Sequence, residues 1–268
     1  MKTRGYASPD RSQPDNAGTA GDGARIYISV VSHAQDELVV QLLDSIAEFC
    51  NPERLAVTVT QNINNSPARS FNRFPFPVTT LQNSRPKGFG ANHNQAFSRC
   101  REEFFCVLNP DILLVTDVFG HLISLLSVDN VGVAAPILVD SSGRLQDSAR
   151  EFPSPGRIIS RVFRRRKREC GYPLSENCIS PDWVAGMFMF FPSRVYQKIG
   201  GFDESYFMYC EDVDICKRLK NNGYTVLVDT RVSAVHNPRR NSHRSPMYLW
   251  WHLASLLRFF LRYPFYTL

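Results

Sequence analysis

Two short stretches carry acidic side chains in a pattern that could do chemistry. The first is Asn109-Pro110-Asp111, which closes an apolar run, FFCVL (104–108). Proline cannot extend a sheet ladder, so the chain turns at Pro110 and leaves Asp111 at the carboxyl end of a strand. A carboxylate in that place can hold Mg2+ or Mn2+, with phosphate oxygens filling the remaining positions. A plain Asx-type turn would use the same residues. The second stretch is Glu211-Asp212-Val213-Asp214. On a helix, Asp212 falls in line with Ile215, Cys216 and Leu219, and Glu211, Asp214 and Arg218 fall together on the other side, where they can pair and face water. A carboxylate turned inward near a helix start is a candidate general base, because partial burial raises its pKa. An acidic first turn that complements the helix dipole accounts for Glu211 and Asp214 but poorly for Asp212.

The elements around these stretches place them. IYISVVS (26–32), LAVTVTQN (55–62), VTTLQN (78–83), FFCVLNPDI (104–112) and VGVAAPILV (131–139) read as strands. Helical spacing covers residues 36–49, 88–100 and 118–126 between them. Strands alternating with helices imply right-handed crossovers and a mainly parallel sheet, whose ligands bind at the carboxyl ends of the strands. Beyond residue 150 the pattern changes. A basic run, RIISRVFRRRKR (157–168), reads as a loop or exposed helix, and DWVAGMFMFFP (182–192) as a strand. A helix over 209–223 ends at Gly223, two short strands follow over 224–229 and 232–236, and an amphipathic helix covers 247–263. Residues 1–24, rich in Gly, Ser, Asp and Pro, read as a disordered tail.

Composition sets bounds. The chain has 268 residues, 43% of them hydrophobic, which suits one α/β domain with a large core. A net charge of +6 suits a phosphorylated substrate, an anionic membrane surface or a nucleic acid, but no nucleic-acid-reading motif accompanies it. The seven cysteines show no CxxC spacing, so reduced thiols in a cytoplasmic protein are expected and no zinc site. Neither a signal peptide nor an apolar run long enough to span a bilayer is legible.

NSRPKGFGANHNQAF (83–97), VLNPDI (107–112), WVAGMFMFFP (183–192), GGFDESYFMYCEDVDICKRLKNNGY (200–224) and AVH (234–236), in this order, resemble a family 2 glycosyltransferase of the GT-A fold, in its rhamnosyltransferase-like branch. The resemblance runs over about residues 26–262. It implies a Rossmann-like α/β domain with a nucleotide-sugar-binding half (25–140), an acceptor-binding and catalytic half (141–240) and a C-terminal amphipathic helix (241–268). It places Ser32, Gln61, Asn62, Asn83, Lys87, Gly88, Phe89, Asn109 and Asp111 around the nucleotide sugar. Asp111 and His236 would hold the metal, Mn2+ or Mg2+. Asp212 would be the catalytic base of an inverting transfer, with Trp183, Gly186 and Glu211 on the acceptor side; the Trp face either stacks on a sugar or is buried in the core. The implied donor is a dTDP- or UDP-linked sugar, and the acceptor a glycan or a polyprenyl-diphosphate-linked glycan in surface polysaccharide synthesis, such as O-antigen or capsule. The implied location is the cytoplasmic face of the inner membrane.

Some positions depart from the family pattern. Gln61-Asn62 stands where an Asp-Asn pair is usual, Asn109 fills the first acidic slot of the DxD motif, and NPRRNS (237–242) replaces a Gly/Ser stretch. These departures keep open a catalytically silent GT-A module that binds a glycan or protein. A sugar nucleotidyltransferase is the other alternative, although SHAQDE (32–37) lacks the Gly-rich, basic signature expected after the first strand. For the last helix two readings stand. A basic, aromatic-rich amphipathic helix can lie in an anionic membrane interface, or it can dock on protein.

Overall fold

The computed structural model describes residues 23–63, 71–156, 176–237 and 246–264. The basic run at 157–168, the tail through residue 22 and residues 238–242 after His236 lie outside them. The six described cysteines are unpaired thiols.

A nine-stranded sheet organises the molecule. Strands β1 (Ile26–Ser32), β2 (Leu55–Gln61), β3 (Val78–Gln82) and β4 (Phe104–Leu108) run parallel in the order β3-β2-β1-β4. Helices α1 (Asp36–Phe49) and α2 (Phe89–Phe97) make the crossovers. Strand β1 lies between two neighbours and under helices on both faces, so it reads as a continuous apolar run instead of an alternating one. Helix α3 (Phe119–Leu126) leads to β6 (Val131–Val139). Among the remaining long strands, β10 (Phe188–Pro192) inserts antiparallel between β4 and β6, and β11 (Thr225–His236) lies parallel to β6. The mainly parallel sheet flanked by helices therefore stands as expected.

Three expected elements take a different form. Residues 182–192 are not one strand: β9 (Trp183–Val184) pairs with β7 (Ala149–Arg150), a turn follows through Ala185–Met187, and only then does β10 begin. The two short strands over 224–229 and 232–236 are one, β11, which shifts register against β6 between Asp229 and Ser233. At that irregularity the Asp229 carboxylate accepts from the Arg231 N–H. The NPD stretch turns as Pro110 requires, and the chain resumes as β5 (Ile112–Leu114), antiparallel to the end of β11. The short β8 (Cys178–Ile179) completes the sheet on the other side of β11.

Two cores lie on the two faces. One joins the sheet to α1 and α3 through Leu42, Ile46, Phe119 and Leu122. The other joins it to α2, to α4 (Ser193–Lys198), to α5 (Glu211–Asn221) and to α6 (Pro246–Arg262). Helix α5 ends in a Schellman motif: the Gly223 N–H reaches Lys220 O, the Tyr224 N–H reaches Leu219 O, and Gly223 has φ +80°.

Candidate functional site

The end of β4, the Ala185–Met187 turn and the start of α5 converge at the carboxyl edge of the sheet. The Asn109 N–H donates to Met187 O at 3.0 Å, and the Gly186 N–H donates to Asp212 Oδ2 at 3.0 Å. Val213 N–H caps the other oxygen, Oδ1, at 2.8 Å. The Asp212 carboxylate is therefore oriented by two backbone donors, half-buried where the turn meets the helix. Gly186 packs closely, since a Cβ there would meet the Phe89 ring at 3.1 Å and the ring would have to give way by a few tenths of an ångström. Burial raises the pKa of Asp212; the Gly186 and Val213 N–H groups and the Arg150 charge oppose that rise.

Helical phase placed the wrong residues in water. Glu211 and Asp214 are both buried, and Asp212 is the more exposed of the three. Asp214 pairs with Arg218 at 2.7 Å, as expected, but inside the protein, where it also accepts from Tyr263 Oη at 2.9 Å. The Glu211 Oε2 atom is buried with no partner among the described residues. Burial, and then the neighbouring Asp212 charge, push the Glu211 pKa well above the usual carboxylate range.

The antiparallel pairing of β5 with β11 sets Ile112 opposite His236 and so brings Asp111 to the histidine. His236 Nε2 lies 3.4 Å from Asp111 Oδ2. Gln146 settles the ring's tautomer. Its Nε2 donates to the His236 carbonyl at 2.8 Å, so its Oε1 must accept from His236 Nδ1, at 2.5 Å. In the neutral ring Nδ1 then carries the hydrogen, and the Nε2 lone pair faces the Asp111 carboxylate. Two acceptors opposed in this way are reconciled by a positive charge between them, a second proton on the ring or a bound cation. Asp111 Oδ1 is also buried without a partner among the described residues. This donor set, one carboxylate and one imidazole with an outer carboxamide fixing the ring, fits a divalent ion that completes its shell with ligand oxygens. No cluster of three or more metal-binding side chains occurs among the described residues.

The other expected residues take varied places. Ser32 and Gln61 end paired strands, and Ser32 Oγ bonds Asp36 and accepts from the Gln35 N–H. The Asn62 amide is engaged at both ends, accepting from Lys87 N–H and Asn83 Nδ2 and donating to Lys87 O. Asn83 donates in turn to Asn92, whose amide donates to Gly88 O. These asparagines hold the Lys87–Gly88 turn in shape. Lys87 Nζ is on Gln95 at 2.6 Å. Trp183 follows the core reading, not the sugar-stacking one. It is buried, its indole N–H donates to Glu151 O, and the Arg150 guanidinium lies 5.1 Å over its ring, so no open face remains for a sugar. Gln146 and Arg150 were missed, because they sit in a short, weakly patterned stretch with no motif.

A family model described as "Glycosyltransferase like family 2" matches residues 24–245. The chain belongs to that family. Rhamnosyltransferase WbbL of Escherichia coli K12 is 26% identical to it over 88% of this chain and 93% of that protein. A Mycobacterium tuberculosis protein named N-acetylglucosaminyl-diphospho-decaprenol L-rhamnosyltransferase is 24% identical over 68% of this chain and 65% of its own length. Among solved structures, GalNAc-T7 with UDP, GalNAc and Mn2+ overlays with a TM-score of 0.68 at 12% identity, over 90% of this chain and 48% of that one. That overlay shows the fold, GT-A.

Proposed function

We propose that this family 2 glycosyltransferase moves a sugar, rhamnose or a hexose, with inversion from a dTDP- or UDP-linked donor to a glycan acceptor carried on a polyprenyl diphosphate. The rhamnosyl group follows the names of the two rhamnosyltransferases it resembles, the polyprenyl-diphosphate acceptor follows the name of the second, and the nucleotide of the donor follows from the family resemblance. One observation carries the reading. The carboxylate of Asp212 is aimed by the Gly186 turn, and that turn also bonds the strand end leading to the Asp111–His236 pair.

In the reaction, Asp212 takes the proton of an acceptor hydroxyl as that oxygen bonds the anomeric carbon. The bond from that carbon to the diphosphate breaks, and the nucleoside diphosphate leaves with the electron pair. Asp111 and His236 would hold the divalent ion, which when bound stabilises charge on the leaving diphosphate. Burial and the Asp212 charge favour the neutral form of Glu211, which limits negative charge beside the base. Ser32 and Gln61 line the nucleotide side, and Asn62 and Asn83 serve it by fixing the Lys87–Gly88 turn. The Phe89 ring packed on Gly186 forms the wall between donor and base. The protein works at a membrane surface, where such acceptors reside.

A panel of nucleotide sugars with Mn2+ or Mg2+, read as nucleoside diphosphate release, tests the reading. Asp212→Asn should lower turnover by roughly 10²–10⁴-fold, the range of general-base catalysis, while donor affinity stays. A variant with near wild-type turnover would remove Asp212 from the mechanism. Release of pyrophosphate would point to nucleotidyl transfer, and no release with any donor to a glycan-binding module.

A further inference from the structure

Helix α6 packs inward on a mainly apolar face, with Leu256 and Phe260 half-buried against the core, while His252, Arg258 and Arg262 remain exposed. Ser255 and Phe259 are its buried residues: Ser255 Oγ donates to Met208 O at 2.8 Å, and Phe259 fills the core beside Phe152 and Tyr263. His252 stacks edge-on against Tyr209 at 4.9 Å, and Arg262 bonds Asp203. The side turned to solvent also carries apolar groups. Met247, Leu249, Trp250, Leu253, Leu257 and Leu261 are 51–73% exposed and run the length of the helix. A helix folded for water hides its apolar side chains; α6 carries large apolar side chains on its solvent side as well as on its buried one.

We infer that this outward face lies in the surface of an anionic lipid bilayer, with α6 parallel to the membrane plane. The inference rests on the membrane-surface part of the function proposed above and assigns it to one element. Charge complementarity selects the occupant. Helix α6 contains no Asp or Glu, Arg258 is exposed beside the apolar stripe, and the whole chain carries +6. A basic helix with Trp and Leu on its lipid side is an interfacial helix by composition. A second copy of the chain fits less well. A helix of 17 residues is about 25 Å long and presents a stripe about 10 Å wide, roughly a third of the ~800 Å² a stable dimer buries per partner.

The seating has a consequence for the site. The same helix holds the segment that feeds the catalytic helix: Phe207 packs on Trp251 at 4.7 Å, Met208 accepts from Ser255, and Tyr209 meets His252. The next residues are Cys210, Glu211 and Asp212. The acceptor side of the site thus opens beside the lipid surface, which suits an acceptor whose diphosphate and sugars stand on a lipid anchor.

The test uses the full chain without donor or metal, floated with phosphatidylcholine vesicles and with vesicles also containing phosphatidylglycerol. Wild type should float with the anionic vesicles and far less with the neutral ones. Trp250 fluorescence should shift to the blue in the same samples, and Trp250→Phe should abolish most of that shift. The double variant Leu253→Glu/Leu257→Glu should lose roughly a hundredfold in partitioning, since two leucines leave the lipid. Its nucleoside diphosphate release with a water-soluble acceptor should stay at the wild-type level, because neither residue touches the site. Equal flotation of wild type and double variant, or none of either, overturns the inference. Equal flotation on neutral vesicles overturns its charge component. A wild-type dimer that the double variant converts to monomer, with no flotation, assigns the face to a second copy instead. Because flotation needs no turnover, a failure here and a failure of the proposed reaction are read separately.

Discussion

Glu211 keeps a buried carboxyl oxygen without a partner among the described residues, one position before the base. Its pKa is raised by burial and by the charge of Asp212, so the folded state binds a proton that the unfolded chain releases near 4.5. Between that value and the folded pKa, stability falls as pH rises, with a slope near 1.4 kcal/mol per pH unit while the difference lasts. Glu211→Gln mimics the protonated form and removes that slope. Urea unfolding should therefore show the variant gaining on wild type as the pH is raised above about 4.5; an unchanged gap would mean that Glu211 ionises freely. A second residue, Gln146, acts through His236, whose ring it fixes with Nε2 free. Gln146→Leu should weaken Mn2+ binding roughly 10–100-fold, the usual effect of losing an outer-shell partner, with the melting temperature near wild type. Calorimetric titration reads it, and unaltered affinity would place the ion elsewhere. Asp212 and His236 were picked out in the sequence by motif, whereas Gln146 was not, since its role exists only through contacts 90 positions away. The misread faces of Asp212 and Asp214 have a related cause. Helix α5 is covered by the sheet on one side and by α6 on the other, so its buried residues include Glu211, Val213, Asp214, Ile215 and Lys217. A helix buried nearly all round has no phase to read.

Among the elements, the start of α2 is pinned to the segment before the catalytic helix by backbone alone. Phe89 N–H donates to Phe207 O at 2.9 Å, and a Cβ on Gly88 would lie 2.7 Å from that same oxygen. Backbone on both sides leaves no flexible group to move aside. Gly88→Ala should therefore part α2 from the Phe207–Cys210 segment, with overpacking of about 1–3 kcal/mol, which for a chain of this size lowers the melting temperature by about 3–10 °C. The donor KM should rise with it, because Lys87–Gly88 is the turn that Asn62, Asn83 and Asn92 hold. Calorimetry and donor titration test this, and wild-type values in both would show that the approach is not tight. Nothing in GFG (88–90) itself marks Phe207 as the backbone that approaches Gly88. Strands were legible wherever apolar runs ended in polar turns, as β1 to β4 and β6 show. Breaks inside apolar runs were not: WVAGMFMFFP has no polar residue to mark the Ala185–Met187 turn, and that turn is set by the Ala185 N–H reaching Ser148 O and by Asp212 accepting from Gly186. The fusion of two short strands into β11 was hidden for the opposite reason, since Asp229-Thr230-Arg231 looks like a loop but is carried through by the Asp229–Arg231 pair.

For the molecule as a whole, the sheet and its ligand edge were readable because right-handed crossovers leave few alternatives, while the seating of α6 was not. A one-dimensional pattern shows that a helix is amphipathic; which face turns inward depends on what waits there. Here the core beside Phe152 receives Phe259, and the Met208 carbonyl and Asp203 receive Ser255 and Arg262 beside it. This makes removal of the whole helix an ambiguous test of membrane contact. It would also uncover the Phe259 pocket and release a segment in which Tyr209 and Cys210 both hold positive φ, at 71° and 64°. Non-glycine residues in that region cost about 1–3 kcal/mol each and persist only where surroundings hold them. Phe259→Ala isolates the inward role. It should destabilise the fold by about 3–5 kcal/mol, as loss of a buried phenylalanine does, and it should reduce turnover even at temperatures where the protein remains folded, because the approach to Asp212 loses its support. The milder Ser255→Ala removes only the bond to Met208 and should lower kcat more than donor affinity. Vesicle partitioning of both should persist, opposite to Leu253→Glu/Leu257→Glu, which should lose the membrane and keep the chemistry. If Phe259→Ala and Ser255→Ala retain full turnover while folded, α6 is an anchor only, and the strained segment is held by the catalytic domain itself.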